Sequence, residues 1–417
     1  MNTLVHEPRK AALAFIFVTV LIDMLSFGMI IPVLPILVKD FAGGDAARGA
    51  EIYGIFGTAW ALMQLIFSPV QGALSDRFGR RTVILISCTG LGLDFILMAL
   101  APNLWWLFLG RIISGICAAS FSTAGAYISD VTPPEKRAAS FGMMGAAFGV
   151  GFVLGPAVGG VLGAISPRLP FWAAAGLSLL NVAWGLFVLP ESLPRARRVP
   201  FSWRSANPVG ALKLLSSHPM LAGLARSFFL VNLAHVVFPS ITVLYLNYRY
   251  GFNPRQVGAV LAGTGISSLL VQMFLIKRAV KLLKERLAVV VGLSFGAIGF
   301  AIYGLATSST AFWFAIPIMA LWGIATPSLQ AMMTGLVGPT EQGRLQGALA
   351  SLTGLSSLIG PTLFTAIFAA SISGPAANWR TLPGSPFFLS SALVLAAMII
   401  AWRATRSTAL APAANSA

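Results

Sequence analysis

Long apolar runs alternate with short polar or basic intervals along this chain. A helix needs roughly 20 apolar residues to cross the ~30 Å hydrocarbon core of a bilayer. By that measure the pattern predicts twelve spans, at residues 11–34, 52–71, 82–101, 105–128, 139–163, 170–189, 219–245, 257–276, 287–307, 311–336, 345–370 and 386–403. The longest polar interval runs from Pro190 to His218 and carries Arg195, Arg197, Arg198, Arg204 and Lys213. It divides the spans six and six, predicting an N-terminal bundle at 1–190, a linker at 191–217 and a C-terminal bundle at 218–417. A shift of 205 residues lays Gly142, Gly149, Gly155 and Pro156 on Gly347, Gly354, Gly360 and Pro361. Such a duplication is expected to place a binding site between two pseudo-symmetric halves near mid-membrane. The repeat fades at Lys277–Arg286, where the counterpart of Gly72–Arg81 keeps its charge and loses its glycines. That second stretch reads as a topology anchor.

Composition agrees with this pattern. Of the 417 residues 57% are hydrophobic and 10% charged, whereas a soluble domain carries about a quarter charged residues. The fold class expected is therefore an all-α membrane protein of twelve helices. A net charge of +16 would suggest nucleic acid in a soluble chain, but here the charges follow the membrane. Twenty of the 28 Lys and Arg fall on the side of Asp76 and six on the other, with Arg111 and Arg226 inside spans. The positive-inside rule then puts both termini in the cytoplasm of a multi-pass inner-membrane protein, with basic patches facing anionic lipid. The expected partners are a small molecule, protons and the bilayer, with no nucleic acid, for a chain acting as a monomer. Met1 to Lys10 and the apolar run after it lack a small-residue cleavage site and read as a retained first span. Cys88 and Cys117, both in spans, suggest neither a disulfide framework nor a metal site. No cofactor or metal is expected, and without a nucleophile elbow, phosphate loop or HExxH there is no foothold for enzyme chemistry.

Asp23 and Asp94 are the acids placed well inside spans. A carboxylate there costs several kcal/mol and marks a cavity or a proton path more often than a structural pair. Asp23 precedes Gly28, Pro32 and Pro35, which interrupt a helix and can open backbone groups to a cavity. Arg111 is a fixed cation that can hold a carboxylate or an anionic group, or can snorkel to the interface. Gln64 could line the cavity. His235, the mid-span titratable candidate of the second half, is a further proton or substrate contact.

Two strings are more specific. Gly72-Ala-Leu-Ser-Asp76-Arg77-Phe-Gly79-Arg80-Arg81 joins two spans with a turn too short for a domain. It resembles the signature between helices 2 and 3 of the major facilitator superfamily. Gly151-Phe-Val-Leu-Gly155-Pro156-Ala-Val-Gly159-Gly160 has small residues at helical spacing, which allow close helix contact, and a proline that bends the helix. It resembles the antiporter signature of the same superfamily. With Met29-Ile-Ile-Pro32, Ala61-Leu-Met-Gln64, Leu109-Gly110-Arg111 and Pro327-Ser-Leu-Gln330, the chain resembles the tetracycline-exporter branch of drug/proton antiporters. The resemblance implies that Asp23, Asp94 and Arg111 match residues important for transport. It also implies that Asp76, Arg80 and Asp130 form a cytoplasmic charge cluster stabilising one conformation. Where that branch carries an acid in span 9 and a histidine in span 8, this chain reads Gly292-Leu-Ser-Phe-Gly296 and Ser268.

The expected activity is proton-coupled export of an amphipathic small molecule, with tetracycline-like drugs one class of substrate. The alternatives weighed are metabolite uptake or facilitated diffusion on the same fold, and a receptor or scaffold that transports nothing. The span 5 signature speaks against uptake, and two costly carboxylates in the bilayer speak against a scaffold.

Overall fold

The computed structural model describes residues 7–118, 120–199, 213–216, 218–338, 341–373 and 382–406. The expected linker therefore lies partly outside the described residues, at 200–212 and 217, as do Arg204 and the C-terminal tail. The described chain is helical, and ten of its helices are long and apolar enough to cross a membrane. One of these, 254–305, is 52 residues long and holds spans 8 and 9 together. Span 4 is formed by Leu104–Cys117 followed by Ser120–Val131, which completes the twelve. The rest are span 1 (Glu7–Ile30, extended by Leu34–Phe41), span 2 (Ala46–Phe78), span 3 (Arg80–Leu100), span 5 (Pro134–Ile165) and span 6 (Leu169–Val188). The second half adds span 7 (Pro219–His235 and Val237–Tyr250), span 10 (Ser309–Ala320, Leu321–Ile324 and Ala325–Thr334), span 11 (Gln342–Ile372) and span 12 (Ser385–Arg406). Apolar residues such as Phe187 and Phe314 point outward, as lipid-facing side chains do.

The chain forms two compact units. The first comprises residues 1–45, 59–207 and 252–262, and the second comprises 46–58, 208–251 and 263–417. Spans 2 and 8 are thus each divided, their first turns grouped with the other half of the chain. In the second unit Gly57 backs onto Pro361, and Thr58 Oγ1 donates to the carbonyl of Leu358 at 3.1 Å. In the first unit Gly258 backs onto Pro156 and Gly160. The two proline positions are related by the 205-residue repeat.

Close approach of helices explains the span 5 glycines. A side chain at Gly155 would begin 2.7 Å from Gly28 Cα, and one at Gly159 would run into the backbone of Met29. Gly151 faces Met24 and Leu21 in the same way. Without hydrophobic drive between helices in lipid, this contact is held by backbone-to-backbone van der Waals packing. Span 11 repeats the arrangement on span 7. Ser356 Oγ, 205 residues after Gly151, donates to the carbonyl of Phe229 at 3.3 Å, and Gly360 backs onto Val236.

The repeat also survives where the sequence had lost it. Gly79 ends span 2 with φ 102° and ψ 150°. Lys284, 205 residues on, has φ 57° and ψ 165° inside the helix running from Ile276 to Leu305. The backbone therefore makes the same kind of break in both halves, although only the first has the residue suited to it. A non-glycine side chain in this region costs about 1–3 kcal/mol.

Lys284→Gly should accordingly raise the melting temperature of the purified protein by a few degrees, and a fall would show that the lysine side chain outweighs the strain. Gly159→Ala should lower it, because overpacking costs about 1–3 kcal/mol. Gly145→Ala, on the same helix with open space around it, should leave it unchanged.

Candidate functional site

Span 3 begins without a cap of its own. Its N-cap residue is Gly79, which has no side chain, and the positive φ there is one that glycine adopts at low cost. The cap comes from far along the chain. Glu191 Oε1 accepts hydrogen bonds from the backbone N–H of Arg80 at 2.9 Å and of Leu193 at 3.1 Å. A carboxylate at a helix N-terminus satisfies an orphan donor and complements the helix dipole. Any side chain at position 79 would collide with that carboxylate.

Arg80 is the centre of this end of the unit. Its Nη1 lies 2.6 Å from Asp76 Oδ1 and 2.5 Å from Ser75 Oγ, and its Nε lies 3.2 Å from Asp130 Oδ2. Ser192 Oγ donates to the same Asp130 oxygen at 3.1 Å. Arg198 reaches Glu191 at 3.6 Å, and the backbone N–H of Val199 donates to the carbonyl of Asp76 at 3.2 Å. Tyr127 of span 4 donates to the carbonyl of Pro190 at 2.9 Å. The segment after span 6 is thereby pinned across the ends of spans 2, 3 and 4. Asp76 is half exposed, so its pair with Arg80 contributes little by itself. The Arg80 side chain is only 11% exposed, however, and losing its partners would strand a buried charge.

Asp76, Arg80 and Asp130 are thus brought together, while Glu191, Ser75 and Ser192 join them unforeseen. A signal for Glu191 was present in the sequence. It is the single acid in the interval from Pro190 to His218. Arg77 lies over Phe78 at 5.0 Å, Arg81 donates to the carbonyl of Leu186 at 2.6 Å, and Gly72 has open space around it.

Deeper in the same unit, Asp94 is 1% exposed, and neither of its carboxylate oxygens has a hydrogen-bond partner. Gly110 makes room for it, since a side chain there would begin 2.8 Å from Asp94 Oδ1. Arg111 is buried as well, which excludes the snorkelling alternative. Its guanidinium lies 5.4 Å from the ring centre of Trp60, which stacks on Phe27 at 5.7 Å. A cation over an aromatic face recovers about 2 kcal/mol when desolvated. Gln64, half-buried, follows Trp60 by one helical turn.

Asp23 is buried on span 1, and the Cys88 thiol of span 3 lies 4.0 Å from its Oδ1. Asn181 of span 6 approaches the same sulfur at 3.9 Å and accepts from Thr19 at 3.3 Å. A buried polar chain thus joins spans 1, 3 and 6 behind the carboxylate. His235 belongs to the second unit, at the end of the first segment of span 7, where its ring is accessible between Phe238 and Trp322. Gly151, Gly155 and Gly159 seat span 1, Gly160 seats the start of span 8, and Pro156 lies inside span 5 without ending it. Among the described residues, no group of acids, histidines and cysteines is arranged to hold a metal.

Comparison with known proteins fits this architecture. The sequence profile of the Major Facilitator Superfamily matches residues 16–326 and 238–416. The chain is 43% identical to the class C tetracycline resistance protein of Escherichia coli over 87% of its own length and 91% of that protein. It is 32% identical to the class H tetracycline resistance protein of Pasteurella multocida, covering 94% and 95%. Among solved structures, the nucleoside transporter NupG superposes with a TM-score of 0.74 at 14% identity, covering 93% of this chain and 98% of that one. The human organic anion transporter MFSD10 does so with 0.69 at 22% identity, covering 94% and 99%. At those identities the structures speak for the fold, and the sequence matches speak for the lineage. On the profile and sequence matches the chain belongs to the Major Facilitator Superfamily.

Proposed function

We infer that this protein is a proton-coupled secondary exporter of amphipathic small molecules, tetracycline-like drugs among them, working by alternating access. The relatives named tetracycline resistance proteins favour this over metabolite uptake or a scaffold. The observation that carries the mechanism is Asp94, a carboxylate out of water with no hydrogen bond to either oxygen. A structural carboxylate is normally bonded when buried. One that is not is suited to exchanging a proton or meeting a substrate group. Asp23, the other buried acid of this half, is the second candidate. In the proposed cycle, one of these carboxylates takes a proton from outside, loses its contact with substrate, and releases the proton inward after the change of access. Arg111 holds the ionised state while the proton is absent. The cluster around Arg80 acts as a cytoplasmic latch for one conformation. The chain is read as an inner-membrane monomer with both termini cytoplasmic, and it carries out no enzyme chemistry.

Export of a drug panel from vesicles, with and without a pH gradient, tests the reading directly. Asp23→Asn and Asp94→Asn replace a carboxyl with an amide of similar size that carries no exchangeable charge. At least one should abolish accumulation driven by the pH gradient, with insertion in the membrane unchanged. Pumping against a gradient by both variants would overturn the assignment of the coupling site to the first half.

The latch gives a separate outcome. Asp76→Asn and Glu191→Gln should each slow turnover roughly tenfold, about 1.4 kcal/mol of barrier, while substrate affinity at equilibrium stays the same. A loss of affinity at normal exchange rates would place these residues in binding instead.

A further inference from the structure

The matched ends of the two halves differ in how their charges are answered. Lys281 and Glu285 stand 205 residues after Asp76 and Arg80, with the two signs exchanged. In the first unit the pairs close, since Arg80 holds both Asp76 and Asp130. In the second, none of Lys277, Lys281 and Glu285 has an ion-pair partner among the described residues. The counterpart of Asp130 is Gly335, which has no side chain to offer.

Space is left beside these charges. A cavity of about 430 Å³ lies between Lys277, Lys281 and Glu285 on one wall and Pro327, Ser328 and Ala331 of span 10 on the other. Ile276 and Val280 give it an apolar part as well. Lys277 and Lys281 are one turn apart on the helix that begins at Ile276, so they share a face and repel each other. Little nearby offsets them, because Lys277 to Arg286 carries five cations and one acid. Just before this stretch, Met273 and Phe274 are 68% and 52% exposed. Large exposed apolar side chains followed within one turn by lysines mark the level at which acyl chains give way to headgroups.

We propose that this cavity is a binding site for the headgroup of an anionic phospholipid, with the phosphate held between Lys277 and Lys281. A phosphodiester offers a free oxygen to each ammonium group, and each ammonium has three donors. Glu285 can accept from a headgroup hydroxyl and repels a second phosphate, which favours phosphatidylglycerol. Ile276 and Val280 meet the apolar part of the lipid, for which free phosphate has no equivalent. The bound anion does for the lysines what Asp76 and Asp130 do for Arg80 in the first unit. Occupancy is independent of the transported molecule and of Asp23 and Asp94, which belong to the other unit.

The melting temperature of the full-length protein in detergent, titrated with dioctanoyl phosphatidylglycerol, tests the site. It should rise saturably by several degrees, and dioctanoyl phosphatidylcholine should not reproduce the rise. Lys277→Gln combined with Lys281→Gln should weaken the apparent affinity about tenfold. Arg278→Gln combined with Lys284→Gln removes the same charge from the same stretch outside the cavity, and should leave the affinity nearly unchanged. Ala331→Leu fills the cavity at constant charge and should weaken binding about as much as the Lys277 and Lys281 changes. Equal losses in the two double variants would overturn the proposal, since surface charge would then suffice. So would the absence of any rise, or an Ala331→Leu protein that binds normally. Inorganic phosphate separates the two sources of the anion. A rise of the same size with phosphate alone, lost in the Lys277 and Lys281 variant, would overturn the lipid assignment and leave a soluble-phosphate site.

Discussion

An arginine at a helix start, Arg80, its side chain 11% exposed and met by carboxylates from several directions, is the interaction on which the first unit depends. Spans 2, 3, 4 and the segment after span 6 all meet at that end. Arg80 draws Asp76 from its own turn and Asp130 from span 4, and its backbone N–H takes Glu191 from beyond span 6. A charge this buried tolerates few arrangements, because each partner withdrawn leaves it uncompensated. The same property suits a latch. A cluster on the rim of a bilayer can form and release as water enters, whereas one in hydrocarbon could not.

The membrane interior follows a different rule. There the helices are held by close contact of small residues, as between Gly155 and Gly28, and polar groups are satisfied within or between helices. Against this background the exceptions stand out. Asp94 lacks a bond for either oxygen, and the hydroxyls of Ser26, Thr123, Ser178 and Thr242 and the Trp322 N–H are likewise unbonded. A packing role does not explain the acid, since an apolar residue of the same size would pack as well.

The twelve spans, the signatures around Asp76 and Gly155, and the duplication at 205 residues were all legible in the sequence. Each rests on something local, such as the length of an apolar run, the spacing of glycines or a proline at a fixed offset. Asp23, Asp94 and Arg111 stood out for a similar reason, since ionisable groups are rare in hydrocarbon. The likeness of Lys284 to Gly79 was not legible, because backbone angles can persist after the residue that favours them has gone.

Sequence by itself determined that this chain spans a membrane many times, in two related halves, with titratable groups inside the first. Hydropathy and spacing suffice for that, because the bilayer imposes length and polarity on each segment separately. Only the tertiary structure decided which polar groups meet. Glu191 caps a helix that begins 111 residues earlier, Asn181 and Cys88 stand behind Asp23, and span 10 walls the cavity beside Lys277 and Lys281. Those partners lie far apart along the chain, and no periodicity within one helix records which face of another it will touch.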